Sequence, residues 1–311
     1  MSKLVNFPDF FCIGAQKSGT TTLHEWLTQS EEVGLPWTKE THFFRDEERF
    51  SKGQNWYFQQ FKDTSLRTKI FGEVDPEYMY FPECSERISS TCDAPKLIIV
   101  LREPISRALS HYRMSQRRGY ETLTFHDALF EETSRLQNGD RFSKIHHSYI
   151  DRGLYAKQIE KIMYQLPKSR LLVLKFEDLY ASQDSSVKAL NLICDFIGIS
   201  SNGITCDVSV KHNEAAVPRF VFLRDIIYGQ GKLKKSVNRL ISSRELKIRI
   251  MKFFDRLNTK TLDNNSSLLK VDHCPDFVYE MFINDLCKLQ SMVDVDVSHW
   301  IANYQSYLKK K

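Results

Sequence analysis

Lys96-Leu-Ile-Ile-Val-Leu101 is a continuous apolar run, and a run of that kind reads as a strand covered on both faces. Leu171–Phe176 repeats the pattern. Phe10–Ile13 gives a shorter aromatic and β-branched version that stops at Gly14, and Ile70–Val74 a weaker one. Between and after these runs, apolar residues recur at helical spacing. Thr20–Gln29 follows the first run directly. Pro104–Arg118 opens with a proline suited to a first helical turn. Tyr155–Gln165 sets Ile159, Ile162 and Met163 on one side, Ser186–Ile197 stops at Gly198, and Phe277–Met292 is amphipathic. Buried strands alternating with helices predict an α/β fold, a P-loop-like three-layer arrangement with a central parallel sheet flanked by helices. Such sheets bind ligands beyond the carboxyl ends of their strands, so the residues that follow each strand carry the candidate chemistry.

Composition narrows the class. Hydrophobic residues make up 41% and charged residues 27%, an ordinary globular balance that excludes a disordered or collagen-like chain. We expect one domain over residues 1–311, with a strand-and-helix core in 1–205 and a basic, helical part in 206–311. No apolar stretch is long enough for a membrane helix, and the N-terminal residues run into a glycine loop without a leader pattern. Seven cysteines with no C-x-x-C pair suggest neither a zinc site nor a disulfide framework. Reduced thiols and a cytoplasmic location are the expectation. The net charge of +5 is unevenly placed: residues 211–252 hold eleven Lys and Arg against three acidic side chains. That field suits an anionic ligand, and a solvated helix face accounts for it equally well. No helix-turn-helix, zinc-finger or RNA-recognition signature accompanies it, so nucleic acid is not an expected partner.

After the first strand comes Gly14-Ala15-Gln16-Lys17-Ser18-Gly19-Thr20-Thr21-Thr22. A strand enters this loop and a helix leaves it, so backbone N–H groups and the positive end of a helix dipole converge on one point. The loop approaches the nucleotide pattern G-x-x-x-x-G-K-[ST], with Gly14 and Gly19 at the right spacing. Its lysine, however, sits inside the loop at position 17, and Thr20 stands where the nucleotide-loop lysine would be. We read it as an altered anion cradle. After the most apolar strand, Arg102 stands at the strand end and Ser110 about two turns into the following helix. A guanidinium fork and a hydroxyl suit a second phosphate. On the residues alone, Arg102 also suits an ion pair with Glu103 or another carboxylate, and Ser110 reads better as a small helix-packing residue.

Together the two segments resemble those of the sulfotransferases that use 3′-phosphoadenosine 5′-phosphosulfate (PAPS). Gln16–Thr21 is similar to the family's 5′-phosphosulfate loop and Arg102–Ser110 to its 3′-phosphate element. Lys39-Glu40-Thr41-His42-Phe43-Phe44 is similar to the segment that carries the catalytic glutamate in heparan sulfate sulfotransferases. Gly72–Tyr78, Gly153–Ile159, Leu174–Leu179 and Asp296–Trp300 have counterparts in the same order. The resemblance implies that PAPS is held by Gln16, Lys17, Ser18, Gly19, Thr20, Thr21, Thr22, Arg102 and Ser110, with no metal required. Arg219 or Lys232 would cover it from the basic segment. The family's second active-site lysine has no counterpart, because Asp75 stands in its place, and its disulfide-framed C-terminal loop is not recognisable.

The expected reaction is sulfuryl transfer to a hydroxyl or amine of a glycan or small metabolite. Lys17 would stabilise the leaving phosphate. Glu40 is the expected base, its pKa raised by desolvation before Phe43-Phe44, and His42 is the rival because an ordinary imidazole titrates near neutrality. Two other classes compete with this reading. A small-molecule kinase would need a lysine at the nucleotide-loop position and a magnesium ligand, and neither is evident. A non-catalytic nucleotide- or glycan-binding protein would suit the basic segment.

Overall fold

The computed structural model describes residues 8–61, 67–137, 139–206, 216–218, 259–261 and 274–310. They form two compact units, one made of Met1–Arg107, Arg152–His212 and Tyr279–Lys311, the other of Ala108–Asp151 and Asn213–Val278.

In the first unit the elements run β1 (Phe10–Gly14), α1 (Thr20–Leu27), β2 (Val33–Gly34), α2 (Glu47–Phe50), α3 (Gly53–Phe58), β3 (Ile70–Val74), α4 (Pro82–Thr91) and β4 (Lys96–Leu101). α5 (Pro104–Arg118) leads into the second unit, which holds α6 (Phe125–Gln137) and α7 (Arg141–His146). The chain returns through α8 (Tyr155–Gln165), β5 (Leu171–Lys175), α9 (Phe176–Tyr180) and α10 (Gln183–Ile197). Short strands β6 (Ala216–Pro218) and β7 (Thr259–Thr261) pair antiparallel in the second unit. α11 (Asp276–Met292) and α12 (Ser298–Lys309) close the chain.

β1 to β5 form one sheet in the order β2-β3-β1-β4-β5, and every pairing is parallel. This is the expected central parallel sheet. Its side chains alternate by face, as the period of a strand demands. Phe10, Cys12, Val74, Ile98 and Val100 point to one side, where Leu23, Trp26 and Leu27 of α1 and Leu190, Ile193 and Ile197 of α10 cover them. Phe11 turns to the other side and meets Phe44 and Tyr78 edge-on at 5.4 and 6.5 Å. Leu97–Leu101 is buried throughout, as its unbroken apolar sequence requires.

Local chemistry sets the helix ends. Ser182 accepts the N–H of Ser185 at the start of α10, and Gly198 ends that helix with φ of 87°, where a side chain would be strained. Glu103 accepts the N–H groups of Ile105 and Ser106 and so caps α5. Its carboxylate also takes the hydroxyl of Tyr304 from α12, which ties the C-terminal helix to the exit of β4. Asp285 of α11 does the same for the first turn of α8, accepting from Ala156 and Lys157. All seven cysteines are free thiols. Among the described residues no helix is long and apolar enough to cross a membrane.

Candidate active site

The loop between β1 and α1 lies at the carboxyl end of the sheet's central strand. Lys17 has φ of 73° and Gly19 of 86°, so two left-handed residues bend the chain into a concave turn before the first helical N–H groups. Gly19 is required twice over. A Cβ there would stand 2.8 Å from the ring of Tyr180 as well as strain the backbone. Ser18 is fully buried and its hydroxyl has no hydrogen-bond partner. Gln16 donates to Glu77 at 3.0 Å through Nε2, while its buried Oε1 is left without a partner. A buried orphan hydroxyl is costly unless something else satisfies it. Cys12 lies just before this loop, and burial pushes its thiol up to about 12, which removes it as a thiolate nucleophile.

Thr20 and Thr22 are buried on the first turn of α1, with Thr21 between them and partly exposed. The Thr22 hydroxyl meets that of Tyr180 at 2.5 Å. Tyr180 stacks on Phe176 with ring centroids 4.3 Å apart, the guanidinium of Arg102 lies over Phe176 at 4.7 Å, and Arg102 Nη1 donates to the carbonyl of Lys17 at 3.1 Å. Arg102 therefore does not spend itself on Glu103, which caps α5 instead. Ser110 lies on α5, partly buried, among the residues of the second unit. Arg219 and Lys232 fall outside the described residues.

The segment Lys39–Phe44 is anchored to the exit of β3. Glu40 and His42 are both left-handed, with φ of 64° and 53°. Thr41 N–H donates to Glu73 at 2.9 Å, and His42 N–H to Asp75 at 2.9 Å. His42 Nδ1 also lies 2.7 Å from Asp75. Tyr57 and Tyr78 donate their hydroxyls to Glu73 at 2.6 and 3.2 Å. The desolvation expected at Glu40 falls elsewhere. Phe43 and Phe44 turn into the core, whereas the Glu40 side chain is 34% exposed and pairs with Lys39. Glu73 is the carboxyl that burial, reinforced by Asp75, pushes up to about 7.

His24, one turn into α1, is a site neighbour that motif reading did not single out. Burial, aided by Lys39, pushes its imidazole down to about 4, and its buried Nδ1 has no hydrogen-bond partner. Asp75 entered only as a departure from the family's lysine and Phe176 only within Leu174–Leu179, neither with a role, and Tyr180 was not singled out. Asp75 immediately follows a strand and Phe176 starts the next helix after one, so attention to every strand exit would have found both. Among the described residues, no group of three or more His, Cys, Asp and Glu side chains is placed to hold a metal ion.

Comparison with known proteins identifies a family and a shared fold. The family described as "Sulfotransferase domain" matches residues 7–217. A membrane-associated sulfotransferase, kil1, of Dictyostelium discoideum is 32% identical over 167 residues, covering 51% of this chain and 34% of that protein. Mouse heparan sulfate glucosamine 3-O-sulfotransferase 3B1 is 29% identical over 192 residues, covering 62% of this chain and 46% of that protein. The chain thus spans a third to a half of the length of these two relatives. A crystal structure of a sulfotransferase from Alicyclobacillus acidocaldarius shares the fold, with a TM-score of 0.63 at 22% identity, over 95% of this chain and 99% of that one.

Proposed function

The chain belongs to the sulfotransferase domain family, and from that premise we propose that it transfers a sulfuryl group from PAPS to a hydroxyl or amine of an acceptor. The observation that carries the reading is the buried, partnerless Ser18 hydroxyl inside the left-handed turn that also presents Lys17. An anion of the phosphate class satisfies that hydroxyl and the first N–H groups of α1 together. The residues therefore fit the co-substrate.

Gln16 through Thr22 would hold its 5′ end, and Arg102 its 3′-phosphate. PAPS supplies an activated sulfuryl group whose leaving partner is a phosphate. The acceptor oxygen or nitrogen forms the new bond to sulfur. The old sulfur–oxygen bond breaks with its electron pair left on the phosphate oxygen, and Glu40 takes the acceptor's proton. Lys17 offsets the charge that grows on that oxygen. By analogy with phosphoryl transfer, positioning and charge stabilisation supply most of the rate.

A glycan is the favoured acceptor class. Support comes from the mouse relative, whose name specifies a heparan sulfate glucosamine, and from the basic stretch 211–252. The test is an acceptor screen of sugars and small metabolites with PAPS, read by the mass gain of one SO3 group. Parallel reactions with ATP and magnesium check the kinase alternative. Sulfation with PAPS in the presence of a chelator is the expected result. Phosphorylation, or binding of adenosine bisphosphate without any sulfated product, would overturn the reading.

A further inference from the structure

Asp75 is fully buried at the exit of β3. Its Oδ2 receives the backbone N–H of His42 at 2.9 Å and lies 2.7 Å from Nδ1 of the same residue. Its Oδ1 takes the N–H of Glu77 at 3.1 Å. One carboxylate therefore fixes both the main chain and the ring of His42. The main chain needs such an anchor, because a left-handed conformation is strained for a residue other than glycine. Glu73 accepts the main-chain N–H of the preceding residue, Thr41.

With Nδ1 engaged by Asp75, the second ring nitrogen, Nε2, is left for other work. Asp75 has no exposed side-chain surface, while 22% of the His42 side chain is exposed. The open part of the ring is thus the part turned away from the carboxylate. An imidazole held at one nitrogen by a buried carboxylate, and open at the other, is how a proton-handling histidine is oriented.

We propose that Asp75 is a positioning residue for the sulfuryl transfer argued above, acting through His42. It locks the ring so that Nε2 carries a hydrogen-bonding proton toward the reacting group, while Glu40 receives the acceptor's proton. His42 is then a catalytic cation rather than the base. This inference rests on the transfer reading. The surroundings agree with it. Burial opposes a charged ring, but the carboxylates beside it, Asp75 foremost, together outweigh burial and hold the His42 pKa above its ordinary value. Glu77 adds to that rise and Arg45 opposes it, and these two are themselves ion-paired.

The experiment compares wild type, Asp75→Asn, His42→Ala and the double variant for kcat, KM and the pH dependence of kcat, with melting curves to confirm folding. Asp75→Asn is expected to lower kcat by about tenfold or more while the PAPS KM holds. The histidine ionisation in its pH profile should move to lower pH, because the ring has lost its anion. In the His42→Ala background the same substitution should add no further loss. Additive losses, or an unmoved ionisation, would reduce Asp75 to a structural role and overturn the proposal. If Asp75→Asn does not fold, carbon-13 NMR titration of His42 in the wild-type protein decides, with the His42→Ala spectrum giving the assignment. A ring that titrates at or below its ordinary value would overturn the proposal as well. A wild-type protein that sulfates nothing refutes the transfer reading, whereas the titration still judges the Asp75–His42 pair.

Discussion

Arg102 donates from Nη1 to the main-chain carbonyl of Lys17 across 3.1 Å, so the residue that ends β4 is tied to the centre of the loop that follows β1. Stacking on Phe176 holds the same guanidinium from one face. The two segments assigned to opposite ends of PAPS thus share a brace. Replacing Arg102 with alanine removes the brace and, on the proposed reading, a charge-assisted phosphate contact with it. We expect PAPS affinity to fall by about tenfold to a hundredfold, measured by calorimetry with adenosine bisphosphate. Arg102→Lys should recover only part of the loss, because an ammonium lacks the planar fork. Unchanged affinity in both variants would remove Arg102 from the cofactor site.

Ser18→Ala separates binding from folding. The hydroxyl is buried and unbonded in the protein alone, so its removal should leave the melting temperature unchanged or slightly raised. Affinity for adenosine bisphosphate should drop by about tenfold. A variant that melts lower and binds normally would show the hydroxyl to be a packing group.

Lys17→Ala should abolish turnover in a folded protein, because no other loop ammonium replaces it in the proposed mechanism. Glu40→Gln should lose far more rate than PAPS affinity, the signature of a proton acceptor. Near wild-type turnover in either variant would withdraw the corresponding role.

Glu73 makes stability depend on pH. Its folded pKa, about 7, lies above the ordinary carboxyl value. The folded state therefore keeps a proton that the unfolded state has released, and stability should fall as pH rises from about 4.5 to about 7, then level off. Asp75 works at the acid end. Although burial pulls the other way, His42 beside it holds its pKa below the usual carboxylate range. The stability it contributes is present above about pH 4 and disappears as pH falls through the lowered value. Denaturant midpoints across this range, for wild type and Glu73→Gln, provide the check. The variant should lose the slope between about 4.5 and 7, and an identical slope in both proteins would assign it to other groups.

The alternation of apolar runs and helical spacing was enough to place β1, β3, β4, β5, α1, α5, α8, α10 and α11, because each carries its own burial pattern in a short window. Boundaries moved where capping decides them. α10 begins at Gln183 rather than Ser186, since Ser182 supplies the cap. β2 went unseen because two residues hold no periodicity. The glycine loop and Arg102 were legible for the same local reason: both immediately follow a strand.

The chemical environment of the site was not legible along the chain. Phe43-Phe44 beside Glu40 reads as desolvation of that carboxyl, yet the two rings pack against Tyr57 and Tyr78 and leave Glu40 at the surface. Asp75 meets His42 across 33 positions and Arg102 meets Lys17 across 85. Local composition thus established which groups are available and which strand ends present them. Which carboxylate is buried, which imidazole it orients and which hydroxyl is left waiting depend on how strands distant in the chain lie side by side. Desolvation and charge pairing act through space, over a few ångströms, and no sequence window measures those distances.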